Sequence, residues 1–383
     1  MKKTLLQACA LCVGATTVQA GGIDRSGQGI NLIFEEGSVA QFRLGYTNPS
    51  VSGTMPGPPL GQPISSGDVA KSFFTPHLGY KTSLTEQLDF AIMYDQPYGA
   101  DIAYADDYPL STNPIPGGRT GILKATADTD AITALLRYKF EGGFSAIGGI
   151  RAQRVTASVT VPAAAGYQVD TDADIAFGYV VGVAWEKPEI AARVSLTYNS
   201  KISHDLSQTE SVNPIPVPPI PVGTVATFDS SSEIETPQSV NLDFQTGVAP
   251  RTLLFGSVRW VDWTQLVYNP PNYPPTSNLV DYDDDTFTYS LGLGYQFSDE
   301  FSGAVTLGYE SSIGDPVSNL GPTDGFWSIG VGGTYSFEKA KISGGVRYTD
   351  IGDATADGAS GVTADFSGNS AWSVGVQLTY ALD

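Results

Sequence analysis

Residues suited to acid–base chemistry are scarce in this 383-residue chain, whose two histidines are His77 and His204. His204 stands in the run "SHD" at residues 203–205, which contains the residue types of a hydrolase triad. A triad is defined by its geometry in space, however, and successive residues of a strand point to opposite faces. We therefore predict no catalytic residue, with a surface enzyme or adhesin that depends on His204 as an alternative.

Basic side chains offer a second kind of chemistry, because arginine and lysine bind carboxylates through charge-assisted hydrogen bonds. Seven of them fall on strand faces that we predict to point inward: Arg137, Lys139, Arg151, Arg193, Arg259, Lys341 and Arg347. We take Arg193, Arg259 and Arg347 as candidate ligand-binding residues. The alternative is that these cations pair with carboxylates of the chain itself, such as Glu35, Glu36 and Asp243.

Two acidic runs, "YADDY" and "DYDDD", would suit Ca²⁺ or contact with lipopolysaccharide through divalent cations. Neither has the spacing of a calcium loop, with its glycine and terminal glutamate. Solvated loops explain them better, and no zinc spacing or phosphate-binding glycine loop is present. We predict neither a metal site nor a cofactor.

Proline-rich segments are the third feature with a possible role in binding. The run "VNPIPVPPIPVG" presents Ile215, Val217, Ile220 and Val222 between prolines, and "MPGPPLGQP" and "NPPNYPP" are similar. Prolines keep a backbone extended and stiff, so apolar side chains stay presented at low entropic cost. These loops are candidates for capturing amphiphiles, unless the prolines merely rigidify the surface.

The elements that must position these residues are strands. In the C-terminal "AWSVGVQLTYALD", Trp372, Val374, Val376, Leu378, Tyr380 and Leu382 share one face, opposite small or polar side chains. A period of two is the signature of a strand. The same alternation recurs in "TFTYSLGLGYQF", "FWSIGVGGTYSF" and "IAARVSLTYN".

The pattern predicts about fourteen strands, an even number as in bacterial outer-membrane barrels. Their centres are Leu44, Thr75, Ile92, Ala134, Gly148, Tyr179, Val194, Leu242, Gly256, Leu291, Val305, Gly330, Gly344 and Val376. Connections near Thr82, Gly142, Pro188, Ala249, Asp299 and Lys339 are tight, and the alternating ones are long. Short turns at one end and long loops at the other are typical of a transmembrane barrel.

Lipid can cover the apolar faces, because a closed barrel leaves no backbone group unpaired in hydrocarbon. Aromatic residues near strand ends fit the interfacial girdles of such barrels: Trp185, Trp260, Trp263, Tyr348 and Tyr380. The sequence therefore predicts an all-β protein with a transmembrane antiparallel barrel. A secreted β-sandwich, in which two sheets cover each other, is the alternative.

The first twenty residues, "MKKTLLQACALCVGATTVQA", have the basic start, short apolar run and small-residue end of a signal peptide. Cleavage after Ala20 would remove both cysteines, Cys9 and Cys12, and change the formal net charge from −20 to −22. So acidic a chain argues against nucleic acid and anionic membrane surfaces as partners. No later apolar run has the roughly 20 residues of a spanning helix.

Residues 234–265 resemble the FadL family of outer-membrane transporters for long-chain fatty acids and other hydrophobic compounds. The resemblance rests on Pro237, Ser239 and Val240, then a short turn, and a returning strand that ends in Trp260, Asp262 and Trp263. It continues through "DTFTYSLGLGYQF" and "TDGFWSIGVGGTYSF" to the C-terminus.

The resemblance implies a monomeric 14-stranded barrel, residues 39–383, with an N-terminal plug that is short here, residues 21–38. It also implies passive uptake of hydrophobic molecules, long-chain fatty acids first among them, in an outer membrane that contains lipopolysaccharide. The family is thought to release substrate sideways through a kinked strand. Pro76, Pro97 and Gly99 are the candidates for that exit, because proline cannot donate to a strand ladder. A general diffusion porin for small polar solutes is the main alternative, since the inward faces are small and polar.

Overall fold

A computed structural model describes residues 23–57, 61–275, 277–314, 316–357 and 363–382. The predicted signal peptide lies outside the described residues. In chain order the first strands are β1 (Val39–Ser50), β2 (Gly53–Met55), β3 (Ile64–Ser65), β4 (Phe73–Ser83), β5 (Leu88–Asp95), β6 (Gly99–Ala103), β7 (Lys124–Lys139), β8 (Phe144–Val161), β9 (Tyr167–Thr171), β10 (Asp174–Lys187) and β11 (Ala192–Asn199).

The chain continues with β12 (Ile202–Val212), β13 (Ala226–Thr236), β14 (Ser239–Ala249), β15 (Thr252–Val261), β16 (Thr286–Gln296), β17 (Phe301–Glu310), β18 (Phe326–Ser336), β19 (Ala340–Ile351), β20 (Ala354–Asp357), β21 (Thr363–Phe366) and β22 (Asn369–Ala381). Short 3₁₀ helices in the described residues are Asn31–Phe34, Pro109–Ser111, Glu141–Gly143, Pro188–Ile190 and Trp263–Gln265. Within the described residues, no helix has the length and apolar character needed to cross a membrane.

Fourteen strands close into one antiparallel barrel, in the order β1, β4, β5, β7, β8, β10, β11, β14, β15, β16, β17, β18, β19 and β22. The ring closes where β1 pairs with β22, from Val39 opposite Ala381 to Ser50 opposite Ser370. Each strand centre predicted from the sequence lies in one of these fourteen strands. The predicted barrel is therefore confirmed.

The outward faces of the barrel strands are apolar, as the alternation predicts. On β10, Phe177 is 72% exposed and Val183 is 58% exposed, while the intervening Val180 is buried. On β16, the outward Leu291 is 49% exposed, and the inward Gln296 is buried. This arrangement suits an outer surface that meets hydrocarbon and an interior that meets polar groups.

Six tight turns join the strands at one end, at the positions that the sequence predicts. The turn between β7 and β8 requires glycine, because Gly142 and Gly143 both have positive φ angles, 78° and 87°. A Cβ atom on Gly143 would lie 2.2 Å from the carbonyl oxygen of Glu186. The long connections all lie at the opposite end, which is the extracellular end in outer-membrane barrels.

The extracellular end holds more strands than the sequence analysis predicts. Strands β12 and β13 form a hairpin in a region that the sequence analysis leaves as a connection. β12 also pairs with β9, which pairs with the outer half of β8. Outward side chains of the hairpin are polar, including Ser203, Asp205 and Ser207. The hairpin therefore stands above the apolar band and outside the membrane.

A second, smaller sheet of β20, β21, β2 and β3 covers another part of this end. It packs on an apolar cluster that includes Val51, Val69, Tyr104 and Phe366. Two of the long connections that the sequence predicts, those after β1 and after β19, thus form one small sheet at the end of the barrel.

One predicted girdle residue has a different role. Trp263 is only 1% exposed, and its ring centroid lies 5.7 Å from that of Tyr98, in an edge-on contact, and 5.6 Å from that of Tyr282, in a tilted contact. Its indole N–H donates to the Thr286 hydroxyl. The prediction for Trp263 is therefore wrong, because the loop after β15 folds inward and carries this ring into the interior. Tyr380 is 44% exposed, as a girdle residue would be.

Leu291→Arg should destabilise the barrel in phospholipid vesicles by about 2–4 kcal/mol, because it places a charge among lipid chains near mid-membrane. Ser207→Arg, on the outward face of β12, should change the free energy of unfolding little, because its side chain meets water. Urea unfolding, followed by heat-modifiable electrophoretic mobility, measures both. Equal losses would contradict the assignment of the membrane band.

Candidate functional site

The N-terminal segment, residues 23–38, lies inside the barrel. Its 3₁₀ helix buries Leu32, Ile33 and Phe34. These side chains form one apolar cluster with inward residues of β5, β7, β8 and β10, among them Ala91 and Leu135. The segment thus packs against the part of the barrel wall that β5, β7, β8 and β10 form.

Polar contacts fix the start of this segment to the opposite wall. The Arg259 guanidinium on β15 lies 2.5 Å from an Asp24 carboxylate oxygen and donates to Asn241 at 2.8 Å and to Gln28 at 3.3 Å. The Ser239 hydroxyl also donates to Gln28. Gln28 has φ = 53°, a left-handed conformation that is uncommon for a residue with a side chain, and these contacts hold it there.

An internal cavity of about 210 Å³ lies beside the segment. Arg193, Arg259 and Arg347, the three arginines predicted as ligand-binding residues, all line it, together with Asp243. Serine and threonine hydroxyls of β15–β18 and a few aromatic rings complete the wall. The cavity can therefore hold a small polar or anionic group beside apolar surface.

The three arginines differ in their contacts. Arg259 pairs with Asp24, which is not among the carboxylates that the sequence analysis names. Arg193 donates to the Asn31 side chain at 3.1 Å and lies 4.4 Å above the Phe34 ring. Within the described residues, no carboxylate lies within ion-pair distance of Arg193. Glu35, a predicted partner, pairs with Lys341 instead, at 3.3 Å.

The barrel wall is interrupted between β4 and β5. The ladder between them runs from Ser83 opposite Asp89 to Leu78 opposite Tyr94 and stops there. On its other side, β4 continues to pair with β1 through Pro76 as far as Phe73. In the part of the chain that the structure describes, residues 73–77 of β4 have no ladder partner on the β5 side.

A kink in the neighbouring strand causes the interruption. Residues 96–98 separate β5 from β6, and Pro97 stands at their centre. Both strands pair with β7, and the Thr129 side chain bridges the kink by accepting from the Tyr98 N–H and donating to its carbonyl. β6 then turns toward the N-terminal segment, through the bridge between Asp24 and Tyr98.

Charged side chains of the N-terminal segment, β1 and β5 close the interruption. A cavity of about 10 Å³, room for about one water, is lined there by Arg25, Arg43, Pro76 and Asp95. The Arg25 guanidinium lies over the Phe73 ring at 4.4 Å and fills the space beside Gly99, where a Cβ would come within 2.3 Å of it. Pro76, Pro97 and Gly99 thus surround one spot. Arg25, Arg43 and Asp95 also lie there, and the sequence does not predict them as residues of this site.

The apolar loop residues stand far from this spot, at the tip of the β12–β13 hairpin. Ile215 is 67% exposed, Val217 60%, Ile220 38% and Val222 68%. Near the base of this tip, Asn213 contacts Asn113 and the Arg119 backbone. The tip therefore presents its apolar side chains to the solvent from a fixed position.

A buried carboxylate anchors the loop after β15 to this hairpin. Glu210 accepts hydrogen bonds from Ser230, Tyr167 and Asn272. Burial alone would raise the pKa of the Glu210 carboxyl, but these hydrogen bonds lower it below its usual value. The carboxylate stays ionised at neutral pH and holds the loop across the interior.

The "SHD" run does not form a triad, because Ser203 and Asp205 are exposed on the face of β12 opposite to the buried His204. His204 contacts Asp174 at 2.9 Å and Gln153 at 3.3 Å. Burial lowers the pKa of His204 more than the hydrogen bond with Asp174 raises it. Among the described residues, no group of three or more acidic, histidine or cysteine side chains is arranged to hold a metal ion.

Comparison with known proteins agrees with this geometry. Residues 34–382 match the family described as outer membrane protein transport protein (OMPP1/FadL/TodX). A long-chain fatty acid transport protein of Escherichia coli O6:H1 is 24% identical over 416 aligned positions, which cover 96% of this chain and 90% of that protein.

Two solved structures share the fold. A FadL homologue of Pseudomonas aeruginosa has a TM-score of 0.74 at 14% identity, covering 100% of this chain and 98% of its own. The toluene transporter TodX of Pseudomonas putida has a TM-score of 0.68 at 12% identity, covering 97% of each chain.

Arg259→Gln should release the start of the N-terminal segment, because it removes the ion pair with the partly buried Asp24. Breaking a buried ion pair in this way costs about 3–5 kcal/mol. We expect larger and noisier single-channel conductance in planar bilayers. Arg251→Gln, which removes an exposed pair with Asp299, is the matched control and should leave conductance unchanged. Unchanged conductance of the Arg259→Gln protein would show that the ion pair with Asp24 does not hold the segment in place.

Proposed function

The chain belongs to the OMPP1/FadL/TodX family of outer-membrane transport proteins, and from this premise we propose that it takes up long-chain fatty acids. Hydrophobic compounds are the substrates of this family, and the two relatives with named substrates differ: one transports long-chain fatty acids and the other toluene. The charge inside the barrel is the observation that favours the fatty acid.

Arg193 is the residue that favours a fatty acid over a hydrocarbon as the substrate. It borders the internal cavity, and within the described residues no carboxylate lies within ion-pair distance of it, although Asp243 and Glu35 act on its charge from further away. A hydrocarbon such as toluene can offer a guanidinium only the weak attraction of its ring face, and the Phe34 ring already lies against Arg193 in that way. A fatty acid carboxylate would add a direct ion pair through two parallel hydrogen bonds. Arg347 borders the same cavity. Arg259 could bind the fatty acid carboxylate only after Asp24 moves away from it.

We assign three steps to the passage. The proline-rich tip with Ile215, Val217, Ile220 and Val222 captures the amphiphile from water, driven by the burial of apolar surface. The N-terminal segment, residues 21–38, acts as a plug of the barrel formed by residues 39–383. Release is sideways at the interruption beside Pro76, Pro97 and Gly99, since a tail can enter the membrane there without crossing a continuous ladder. The protein works as a monomer, because one chain supplies all fourteen barrel strands.

A general diffusion porin is the second candidate, favoured by the hydroxyl-lined cavity. A porin needs an open water-filled channel, whereas residues 23–38 occupy this lumen and contact both walls. Large, steady conductance of the wild-type protein in planar bilayers would support the porin and count against the fatty acid transporter.

Arg193→Gln should weaken oleate binding to the purified protein by about tenfold, the equivalent of ~1.4 kcal/mol. Oleyl alcohol, with the same chain and no carboxylate, should bind both proteins equally, which separates charge recognition from lost packing on Phe34. Arg154→Gln, at an exposed pair with Asp130, is the control. Unchanged oleate affinity in Arg193→Gln would remove this residue from the site.

A second prediction concerns capture. The triple substitution Ile215→Ser, Val217→Ser and Val222→Ser should raise the oleate concentration needed for half-maximal uptake by cells severalfold and leave the maximal rate intact, because later steps are untouched. A double substitution, Ser207→Ala and Ser231→Ala, changes polar positions of the same hairpin and should have no effect. Identical uptake curves for all three proteins would refute the capture role.

A further inference from the structure

The membrane-facing surface carries a groove of about 450 Å³ beside the seam of the barrel. It extends over the outer faces of β22, β1, β4 and β5. Its size lies within the range of about 300–1,000 Å³ that is usual for binding sites of small molecules.

One small residue between large ones gives the groove its depth. Ala40 lies opposite Tyr80 on β4 and opposite Tyr380 on β22. Both tyrosine rings point outward, 39% and 44% exposed, so the methyl group of Ala40 forms a floor between two aromatic walls. Such a trough fits a single flexible chain.

The groove begins where the wall is interrupted. Leu78 and Tyr94 form the last ladder pair between β4 and β5, and both side chains line the groove. From that pair the groove descends past Ile92 to Ala40, close to the start of β1 at the periplasmic end. It therefore leads from the edge of the interruption toward the inner, periplasmic leaflet.

The interruption and the groove differ in chemistry. Arg25, Arg43 and Asp95 make the interruption charged, so an alkyl chain gains nothing by resting there. The groove just below is formed mainly by leucine, isoleucine, phenylalanine and tyrosine side chains. An amphiphile with an anionic head can place the head beside the arginines and its tail in the groove at the same time.

We propose that this groove is a binding site for the acyl chain of an amphiphile that leaves through the interrupted wall. The inference rests on the proposed function, which supplies the amphiphile. The groove holds the tail while the head passes the arginines, and it delivers the molecule to the inner leaflet. An ordinary membrane lipid is the other possible occupant, but a lipid has no preference for the strands that flank the interruption.

The test compares two outward alanines that lie near the periplasmic end. Ala40 lies in the groove, and Ala146 lies on β8, between Tyr138 and Val183 and away from the groove. Because Cys9 and Cys12 belong to the predicted leader, Ala40→Cys or Ala146→Cys gives the mature protein a single thiol for a bimane fluorophore. In phosphatidylcholine nanodiscs, stearate with a mid-chain spin label quenches a fluorophore that it contacts.

We expect quenching at position 40 to be saturable, severalfold stronger than at position 146, and reversed by excess oleate. Equal, unsaturable quenching at both positions would mean ordinary lipid partitioning and would overturn the proposal. In cells, Ala40→Trp should fill the groove and slow oleate uptake severalfold, with Ala146→Trp near wild type. Equal rates in these two variants would also overturn it. Failure of the wild-type protein to take up oleate would overturn the proposed function instead, and the quenching result would still decide the groove.

Discussion

Backbone hydrogen bonding in hydrocarbon is the constraint on which this structure depends. No water is present there to satisfy a free N–H or C=O group, so strands must pair on both sides around a closed ring. Fourteen strands meet this requirement. At the interruption between β4 and β5 the chain meets it differently: the Thr129 hydroxyl hydrogen-bonds to the N–H and C=O groups of Tyr98, and Asp24 of the N-terminal segment forms a bridge with Tyr98 just before β6. Hydrogen bonds from a side chain and from the N-terminal segment thus replace the missing ladder where the barrel wall is interrupted.

The N-terminal segment links the two places where charge enters the barrel. At one side, Asp24 neutralises Arg259 and borders the cavity that Arg193 and Arg347 line. One residue further along, Arg25 packs into the interruption against Phe73. Because Asp24 and Arg25 are adjacent in the chain, one short segment contacts both the cavity and the interrupted wall.

The barrel strands were predictable because lipid on one side and polar groups on the other impose a strict alternation. The β12–β13 hairpin was not predicted, because its outward face meets water and no apolar stripe marks it, although His204 and Leu206 alternate with polar residues. Trp263 shows a similar limit, since an aromatic near a strand end can turn inward with its loop. Inward arginines were predictable, but their partners were not, because periodicity does not encode the path of the N-terminal segment.

The seam between β1 and β22 has a consequence for the order of assembly. The side chain of Gln41 donates to Thr379, which lies 338 positions further along the chain. The first barrel strand consequently has no partner on this side until the last strand is present. A partly synthesised or partly inserted chain therefore has two open edges. Open edges recruit other strands and lead to aggregation. Both edges stay open until the C-terminal strand arrives, and the ring can close only after the whole chain has been made.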